Sequence, residues 1–293
     1  MLAAGASELF KRVRTLELAA RKNVAGQLQG DYVSAIKGSG LLFEEPRRYV
    51  PGDPVRSIDW NITARVMEPH VRVHREERQR DVTIVVDVSP SMHSGFQHRT
   101  KLETGIELAA TLAVSASLAG DRLGYVLYAD RVLAESRPRP GKAQLWRVLR
   151  ELLEHTAPWD RTVEVSDPRV ALHHLESRRG GPQVVFLISD FIDEDVPEDL
   201  RYLRPRHDVS IVHISDPLEV AGPLQMLVPA FDPEGSGSRR LGAAVTAELN
   251  SALGSLHRAA ARFGISYVSM STSDPVRSTL AALFSRKRNR RGR

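Results

Sequence analysis

The stretch DVTIVVDVSPSMHSG (81–95) decides the fold. Five of the six residues over 82–87 are uncharged strand formers, so this segment has no polar face. Such a pattern is typical of a strand that is covered on both sides of a parallel sheet. Asp87, Ser89 and Ser91 follow at alternate positions. A helix cap explains one such residue, whereas three oxygen-bearing side chains indicate a nucleophile, a phosphate cradle or a metal site.

Apolar strands and helices alternate along the rest of the chain. The expected strands are 82–88, 122–130, 183–191, 208–216 and 265–271, with 131–138 folding back beside the second of them. The expected helices are 101–120, 143–155, 167–178, 196–205, about 245–263, and 274–286. This alternation predicts an α/β fold: a doubly wound, mostly parallel sheet that is flanked by helices.

Patterning divides the chain into three regions. Residues 1–80 hold a helix over 7–37 and a small β region rich in Gly, Pro and Arg. Residues 81–285 form the main α/β domain, in which 217–244 is an insertion or a hairpin without an assigned role. Residues 286–293, RKRNRRGR, form a basic tail, which we expect to be solvated and disordered.

Composition limits the chemistry and suggests a location. The 293 residues include no cysteine, which excludes thiolate catalysis, thiolate metal sites and disulfides. No apolar run approaches the roughly 18 residues that a bilayer-spanning helix needs. We therefore expect a cytoplasmic protein. The net charge of +5 lies mainly in the basic tail, so nucleic acid or anionic lipid is an alternative partner through that tail.

Two carboxylates end apolar strands of the predicted sheet, Asp87 the first and Asp190 a later one. In a doubly wound sheet, ligands bind beyond the carboxyl ends of the strands, at the switch point of the topology. If the two strands are neighbours, both carboxylates face one crevice, where Ser89, Ser91 and Ser166 add hydroxyl oxygens. An all-oxygen set suits Mg²⁺, or another hard divalent cation such as Ca²⁺ or Mn²⁺.

The sequence Asp87-Val-Ser89-Pro-Ser91 resembles the metal-ion-dependent adhesion site of von Willebrand factor A domains. The resemblance implies that a later Asp, matched by Asp190, and a later Thr complete the site. Ser166 stands near the place of that Thr, and Thr162 is the competing candidate. It further implies that the bound cation captures a carboxylate of a protein partner.

The segment GLLFEEPRRYVPGDPVRSIDWNITAR (40–65) looks like the signature of domain-of-unknown-function family 58. Those are bacterial A-domain-like proteins that are often associated with MoxR-type AAA+ ATPases. The resemblance implies an adaptor or co-chaperone that works with such an ATPase or its client. The matching positions are Arg48, Tyr49, Gly52, Asp53, Arg56, Asp59, Trp60, Ala64 and Arg65.

The same block has a physical interpretation of its own. Its arginines alternate with Asp53 and Asp59, so bidentate Arg–carboxylate pairs are expected to lock a small β layer onto the main domain. The alternative is a partner surface, for which Tyr49 and Trp60 supply aromatic anchors.

Enzyme motifs are absent from the sequence. It contains no GxxxxGK[ST], no GxSxG and no HExxH, so we expect a protein that is not an enzyme. An aspartyl-phosphate mechanism needs a lysine near the nucleophilic carboxylate, and no lysine ends a strand here. A Mg²⁺-dependent phosphatase-like enzyme remains the catalytic alternative.

Overall fold

The fold is given by a computed structural model of the chain. The structure describes residues 2–37, 47–53, 55, 58–71, 79–95, 99–155, 166–191, 200–201, 205–217, 230–231, 238–239 and 254–291. Arg56, Thr162 and most of 217–244 lie outside these residues, so the predictions made for them stay predictions.

The predicted strands of the main domain are present, with ends shifted by one or two residues, and the first and last helices differ by more. Most of the predicted helix 196–205 and the first part of the helix predicted over 245–263 lie outside the described residues. The strands are β1 Arg47–Arg48, β2 His70–Val71, β3 Asp81–Asp87, β4 Arg122–Tyr128, β5 Val132–Arg139, β6 Val184–Ser189, β7 Asp208–Ser215, β8 Ala230–Phe231, β9 Ser238–Arg239 and β10 Ser266–Ser271. The helices are α1 Leu2–Val24, α2 Gln27–Lys37, α3 Trp60–Val66, α4 Lys101–Leu118, α5 Lys142–Glu154, α6 Pro168–Ser177, α7 (described over 254–263) and α8 Val276–Arg291.

A six-stranded sheet forms the centre of the molecule, in the order β10-β7-β6-β3-β4-β5. Only β5 is antiparallel to its neighbour, because it folds back from β4. From β3 the chain adds β4 on one side, and after β5 it returns to add β6 on the other. The topology therefore switches between β3 and β6. The predicted mixed α/β fold, with a mostly parallel sheet flanked by helices, is confirmed.

The sheet is covered on both faces, which explains why its strands lack a polar side. Ile84 and Val86 of β3 join the apolar core that includes residues of α1, α2, α4, α5 and α8. Val85, between them, faces a second core built with α6 and α7. This period of two places alternate residues of one buried strand in different cores.

The N-terminal helix is interrupted, where the sequence predicted one helix over 7–37. Gly26 has φ +87°, a left-handed conformation that glycine adopts without the Cβ penalty, and it separates α1 from α2. Leu28 and Tyr32 of α2 are buried in the same core as the sheet. The Tyr32 hydroxyl donates a hydrogen bond to Asp121 Oδ2 at 3.0 Å. The domain boundary at residue 80 stays a prediction, although these helices share the core of the main domain.

The C-terminal basic residues up to 291 are helical, in contrast to the expected disordered tail. Lys287 is buried, and its ammonium donates to Asp208 Oδ1 at 2.7 Å and to Ser210 Oγ at 3.0 Å. Arg288 pairs with Asp31 at 3.2 Å, which ties α8 to α2. The sequence pattern predicts that this helix ends at residue 286, whereas it continues to Arg291, and the ion pairs of Lys287 and Arg288 lie in the added stretch.

Candidate cation site at the switch point of the sheet

Asp87 and Asp190 lie at the same edge of the sheet because β3 and β6 are parallel neighbours. Val86 is in register with Ile188, so both strands end level with each other. β3 and β6 are adjacent strands, which is what a crevice shared by both carboxylates requires. The site thus lies at the switch point, where doubly wound sheets bind their ligands.

Asp87 is fully buried and accepts three hydrogen bonds. Its Oδ1 accepts from the backbone N–H of Ser89 at 2.9 Å. Its Oδ2 accepts from the hydroxyls of Ser166 at 2.9 Å and Ser189 at 2.7 Å. Burial, and then the charge of Asp190, raise the pKa of Asp87 to about 6, although the hydrogen bonds from Ser89 and Ser189 oppose the shift.

Ser89 and Ser91 lie close together in the loop that follows β3. A short 3₁₀ helix, Pro90–His93, follows Ser89. It brings the hydroxyl oxygens of Ser89 and Ser91 within 3.1 Å of each other, and both side chains are buried. Two hydroxyl oxygens are therefore adjacent in the loop that follows Asp87. That they ligate a cation stays a prediction.

Ser166 is brought to the site by the start of α6. The next residue, Asp167, donates its backbone N–H to Ala129 O and caps the helix by accepting from Arg169 N. These contacts fix the chain where the Ser166 hydroxyl meets Asp87. Thr162, the competing candidate, lies outside the described residues.

Lys101 was missed by sequence reasoning. It is the first residue of α4, and its ammonium lies 2.7 Å from Asp190 Oδ2, with side-chain exposures of 0% and 2%. The sequence prediction considers lysines at strand ends, and this one comes from a helix start. A signal was available, because a cation in the first turn of a helix opposes the helix dipole and needs another reason to be there.

Ser189 was also missed, although it directly precedes Asp190. Its hydroxyl donates to Asp87 and accepts from the backbone N–H of Phe191 at 3.0 Å. Phe191 has φ +47°, an uncommon conformation for a residue with a side chain, and its ring is buried in the second core. The backbone that carries Asp190 is therefore held in a sharp turn by packing.

Two further titratable groups border the site. Tyr128 ends β4 in register with Asp87, and among the described residues no hydrogen-bond partner meets its buried hydroxyl. Burial and then the charge of Asp87 raise the pKa of Tyr128 well above its usual range. His213 lies on β7 in register with Ser189. Burial lowers the pKa of His213 to about 4, so its ring is neutral near pH 7.

The donor set fits a hard divalent cation that is held partly by hydroxyls. In the part of the chain that the structure describes, no three His, Cys, Asp or Glu side chains converge as metal ligands. A cation here would depend on the oxygens of Asp87, Ser89, Ser91 and Asp190, with Ser166 beside them. Oxygen ligands of this kind suit Mg²⁺, Ca²⁺ or Mn²⁺.

The described part of the block 47–71 forms a small layer that contains ion pairs and a helix cap. Asp53 pairs with Arg47 through two hydrogen bonds of 2.7 and 2.6 Å, and Arg48 pairs with Glu68 at 3.0 Å. Asp59 accepts from the backbone N–H groups at the start of α3. Asp53 thus forms a bidentate Arg–carboxylate pair, but with Arg47, and Asp59 caps a helix. Because Arg56 lies outside the described residues, the locking of this layer onto the main domain stays a prediction.

The same block contains a tight turn at residues 50–53 and two exposed apolar side chains. Asp53 N donates to Val50 O across a turn in which Gly52 has φ +114°, the conformation that a type II turn requires at that position. Tyr49 N donates to Pro69 O at 2.8 Å. Trp60 and Met67 are 67% and 87% exposed, so they do not lock the layer onto the core.

Comparison with known proteins places the chain in a family. The sequence profile described as protein of unknown function DUF58 matches residues 45–248, and the chain belongs to this family. Uncharacterized proteins of Mycobacterium tuberculosis and Mycobacterium bovis are 33% identical over 220 residues, which cover 74% of this chain and 68% of theirs.

Solved structures show weaker likenesses. BatB from Bacteroides thetaiotaomicron is 18% identical with a TM-score of 0.45, over 71% of this chain and 98% of that one. An aerotolerance-related membrane protein from Bacteroides fragilis is 16% identical, also with a TM-score of 0.45, over the same shares of the two chains. A membrane spanning protein from Vibrio fischeri is 20% identical with a TM-score of 0.27, over 71% of this chain and 97% of that one.

The location predicted from the sequence needs a correction. Two of these solved structures are named as membrane proteins, which contradicts the predicted cytoplasmic location, and we do not keep that prediction. Within the described residues, no helix combines the length and apolar character that crossing a bilayer needs.

Proposed function

We propose that this chain is a von Willebrand factor A-like interaction module in which a bound divalent cation captures a carboxylate of a protein partner. Mg²⁺ is the cation that we propose in the first place. The observation that carries the proposal is the meeting of Asp87, Ser89, Ser91 and Asp190 at the ends of β3 and β6. The proposed setting is that of an adaptor or co-chaperone of a MoxR-type AAA+ ATPase, as the resemblance of the 40–65 segment implies.

The von Willebrand factor A-like assignment is supported by the topology. A parallel sheet with one antiparallel edge strand carries the Asp-x-Ser-x-Ser loop after a central strand, at the switch point. The later carboxylate, Asp190, follows the neighbouring strand. The positions of this loop and of Asp190 on neighbouring strands support the proposal.

The proposed cation would be held by the hydroxyls of Ser89 and Ser91, with Asp87 and Asp190 as the carboxylates and Ser166 assisting. When bound, the ion supplies an electrophilic centre that takes a further oxygen ligand. Because hydroxyls are neutral, they leave more of its charge unsatisfied than carboxylates would. Asp87 orients this set by accepting from Ser89 and Ser166.

Partner capture tests the proposal. The purified MoxR-type ATPase of the same organism, immobilised on beads, should retain this chain in Mg²⁺ and release it when a chelator is added. Ser91→Ala should abolish capture, while Ser177→Ala, a matched change of an exposed serine on α6, should not. Capture that persists in chelator would contradict the proposal and would direct attention to the exposed Trp60.

Lys101 favours a second candidate, a Mg²⁺-dependent phosphatase-like enzyme. The lysine that an aspartyl-phosphate mechanism needs was absent from the sequence interpretation, and the structure brings one to Asp190. In this candidate, a carboxylate oxygen of Asp87 attacks phosphorus and the P–O bond to the ester breaks, after which the leaving alkoxide takes a proton from solvent water. A second water then hydrolyses the acyl phosphate, which restores the Asp87 carboxylate and releases inorganic phosphate. Turnover of p-nitrophenyl phosphate that is lost in Asp87→Asn would support it, and no turnover by the wild type would exclude it for this substrate.

The alternative of nucleic-acid or anionic-surface binding through the basic tail loses part of its basis. Lys287 and Arg288 already pair with carboxylates, and Arg286 donates to Tyr267 O at 2.6 Å. These three basic groups are engaged within the domain, so we do not propose that function.

A further inference from the structure

We propose that Lys101 couples cation binding to partner binding: its ammonium opposes the divalent cation until a partner carboxylate restores neutrality. The inference rests on the proposed cation site and concerns its regulation. It is carried by the buried contact between Lys101 and Asp190 and by the charge count at the site.

Lys101 is held firmly at the site by contacts of both its side chain and its backbone. Its ammonium and Asp190 Oδ2 are 2.7 Å apart, and neither side chain reaches solvent. The backbone of Lys101 is fixed too, because its N–H donates to Ser94 O at 2.9 Å and Thr100 and Glu103 form a capping box around it. The ammonium is therefore held at the site and is not a mobile surface charge.

Placing a lysine ammonium at this position is energetically unfavourable. A lysine is almost never fully buried without a partner, and the N-terminal end of a helix repels cations. Lys287 offers a contrast, since it lies in the C-terminal half of α8 and pairs with Asp208, whose side chain is 37% exposed. Helix formation does not account for a lysine at position 101, whereas an electrostatic role at Asp190 does.

The charges of Asp87, Asp190 and Lys101 determine how the site responds to a divalent cation. With both carboxylates ionised, Asp87, Asp190 and Lys101 sum to one negative charge. A divalent cation changes that sum to one positive charge, which is unfavourable in a buried site. A partner carboxylate then makes the loaded site neutral. Without the lysine, the cation alone would neutralise the two carboxylates, and the partner would gain nothing from charge balance.

This arrangement gives reciprocal coupling. If a carboxylate ligand strengthens Mg²⁺ binding, then Mg²⁺ must strengthen binding of that carboxylate by the same factor. Lys101 thus acts as a positioning and specificity residue, because it makes the site favour the cation together with an acidic partner over the cation alone.

Calorimetric titration of Mg²⁺ in sodium acetate, with sodium chloride as the matched salt, tests this coupling. In the wild type, acetate should tighten Mg²⁺ binding. Lys101→Gln keeps an N–H donor for Asp190 but removes the charge. It should bind Mg²⁺ about tenfold or more tightly, since a nearby unit charge shifts such equilibria by one or more decades, and it should lose the acetate effect. Lys101→Arg keeps the charge and should behave like the wild type.

The outcomes separate this inference from the proposed function. Equal Mg²⁺ affinity and an equal acetate effect in wild type and Lys101→Gln would overturn the coupling and leave the cation site standing. No Mg²⁺ binding by the wild type or either variant would overturn both. If Lys101→Gln fails to fold, the wild type alone decides, because an affinity that acetate does not change contradicts the coupling.

Discussion

Two carboxylate–cation pairs of nearly equal length mark two regions of this molecule. Lys101 and Asp190 are 2.7 Å apart at the switch point, with exposures of 0% and 2%. Arg47 and Asp53 are 2.6 Å apart in the surface block, with exposures of 48% and 17%. The two distances do not distinguish the pairs, but the access of water to them does.

The comparison shows how burial decides what a pair does. In the surface block, water screens both charges, so the pair shapes a turn and contributes little energy. At the switch point, each charge depends on the other, because separating them leaves a charge in a medium of low polarity. A site of this kind is sensitive to any added charge, including a metal ion.

The largest predicted effect comes from breaking the buried pair. Lys101→Met should lower the free energy of unfolding by about 3–5 kcal/mol, because Asp190 is left buried without its cation. Urea titration measures the loss. The double variant Lys101→Met with Asp190→Leu should recover most of it, and a single variant as stable as the wild type would contradict the comparison.

A smaller effect is expected from the N-terminal helices, which extend the buried region. Leu28→Ala should cost about 3 kcal/mol, because Leu28 is 1% exposed and its removal leaves a cavity. Leu18→Ala is the matched control, since Leu18 is 58% exposed. Equal urea midpoints for the two variants would show that α2 does not belong to the core.

The C-terminal helix presents an intermediate case. Lys287→Met should cost about 1–2 kcal/mol, because the lysine is buried but its partner Asp208 is partly solvated. Lys22→Met, which changes an exposed lysine at the end of α1, serves as the control. If both variants unfold at the wild-type urea concentration, the C-terminal residues act as a tail after all.

The smallest effect belongs to the surface pair. Asp53→Asn should leave the urea midpoint within experimental error, since the pair with Arg47 is open to water. A loss as large as that of Lys101→Met would mean that the surface block, and not the switch point, stabilises the fold.

The sequence predicted the sheet well because its strands are buried on both faces. The segment 184–189 has no polar position before Ser189, and the hairpin of β4 and β5 was visible as two adjoining strand patterns. Strand order was not visible, because the return from β5 to β6 passes from one side of β3 to the other. Register and order depend on packing between segments far apart in the chain.

The sequence predicted mainly those residues of the candidate site whose polar side chains directly follow an apolar strand. Asp87 and Asp190 ended apolar runs and could be found in that way. Lys101 and Ser189 act across 89 and 102 positions of the chain, and neither lies in a motif that marks such a contact. A lysine in the first turn of a helix is unfavourable and so marks a position of interest, but only the fold shows which carboxylate lies opposite it.

Mg²⁺ titration by calorimetry tests the central claim, a cation site at the switch point, most directly. Wild type and Asp53→Asn should bind one Mg²⁺ with equal affinity, because Asp53 lies in the surface block. Asp87→Asn, nearly the same shape but without the charge, should bind at least about tenfold more weakly. The account would be contradicted by a wild type that takes up no Mg²⁺, or by Asp87→Asn binding as tightly as the wild type.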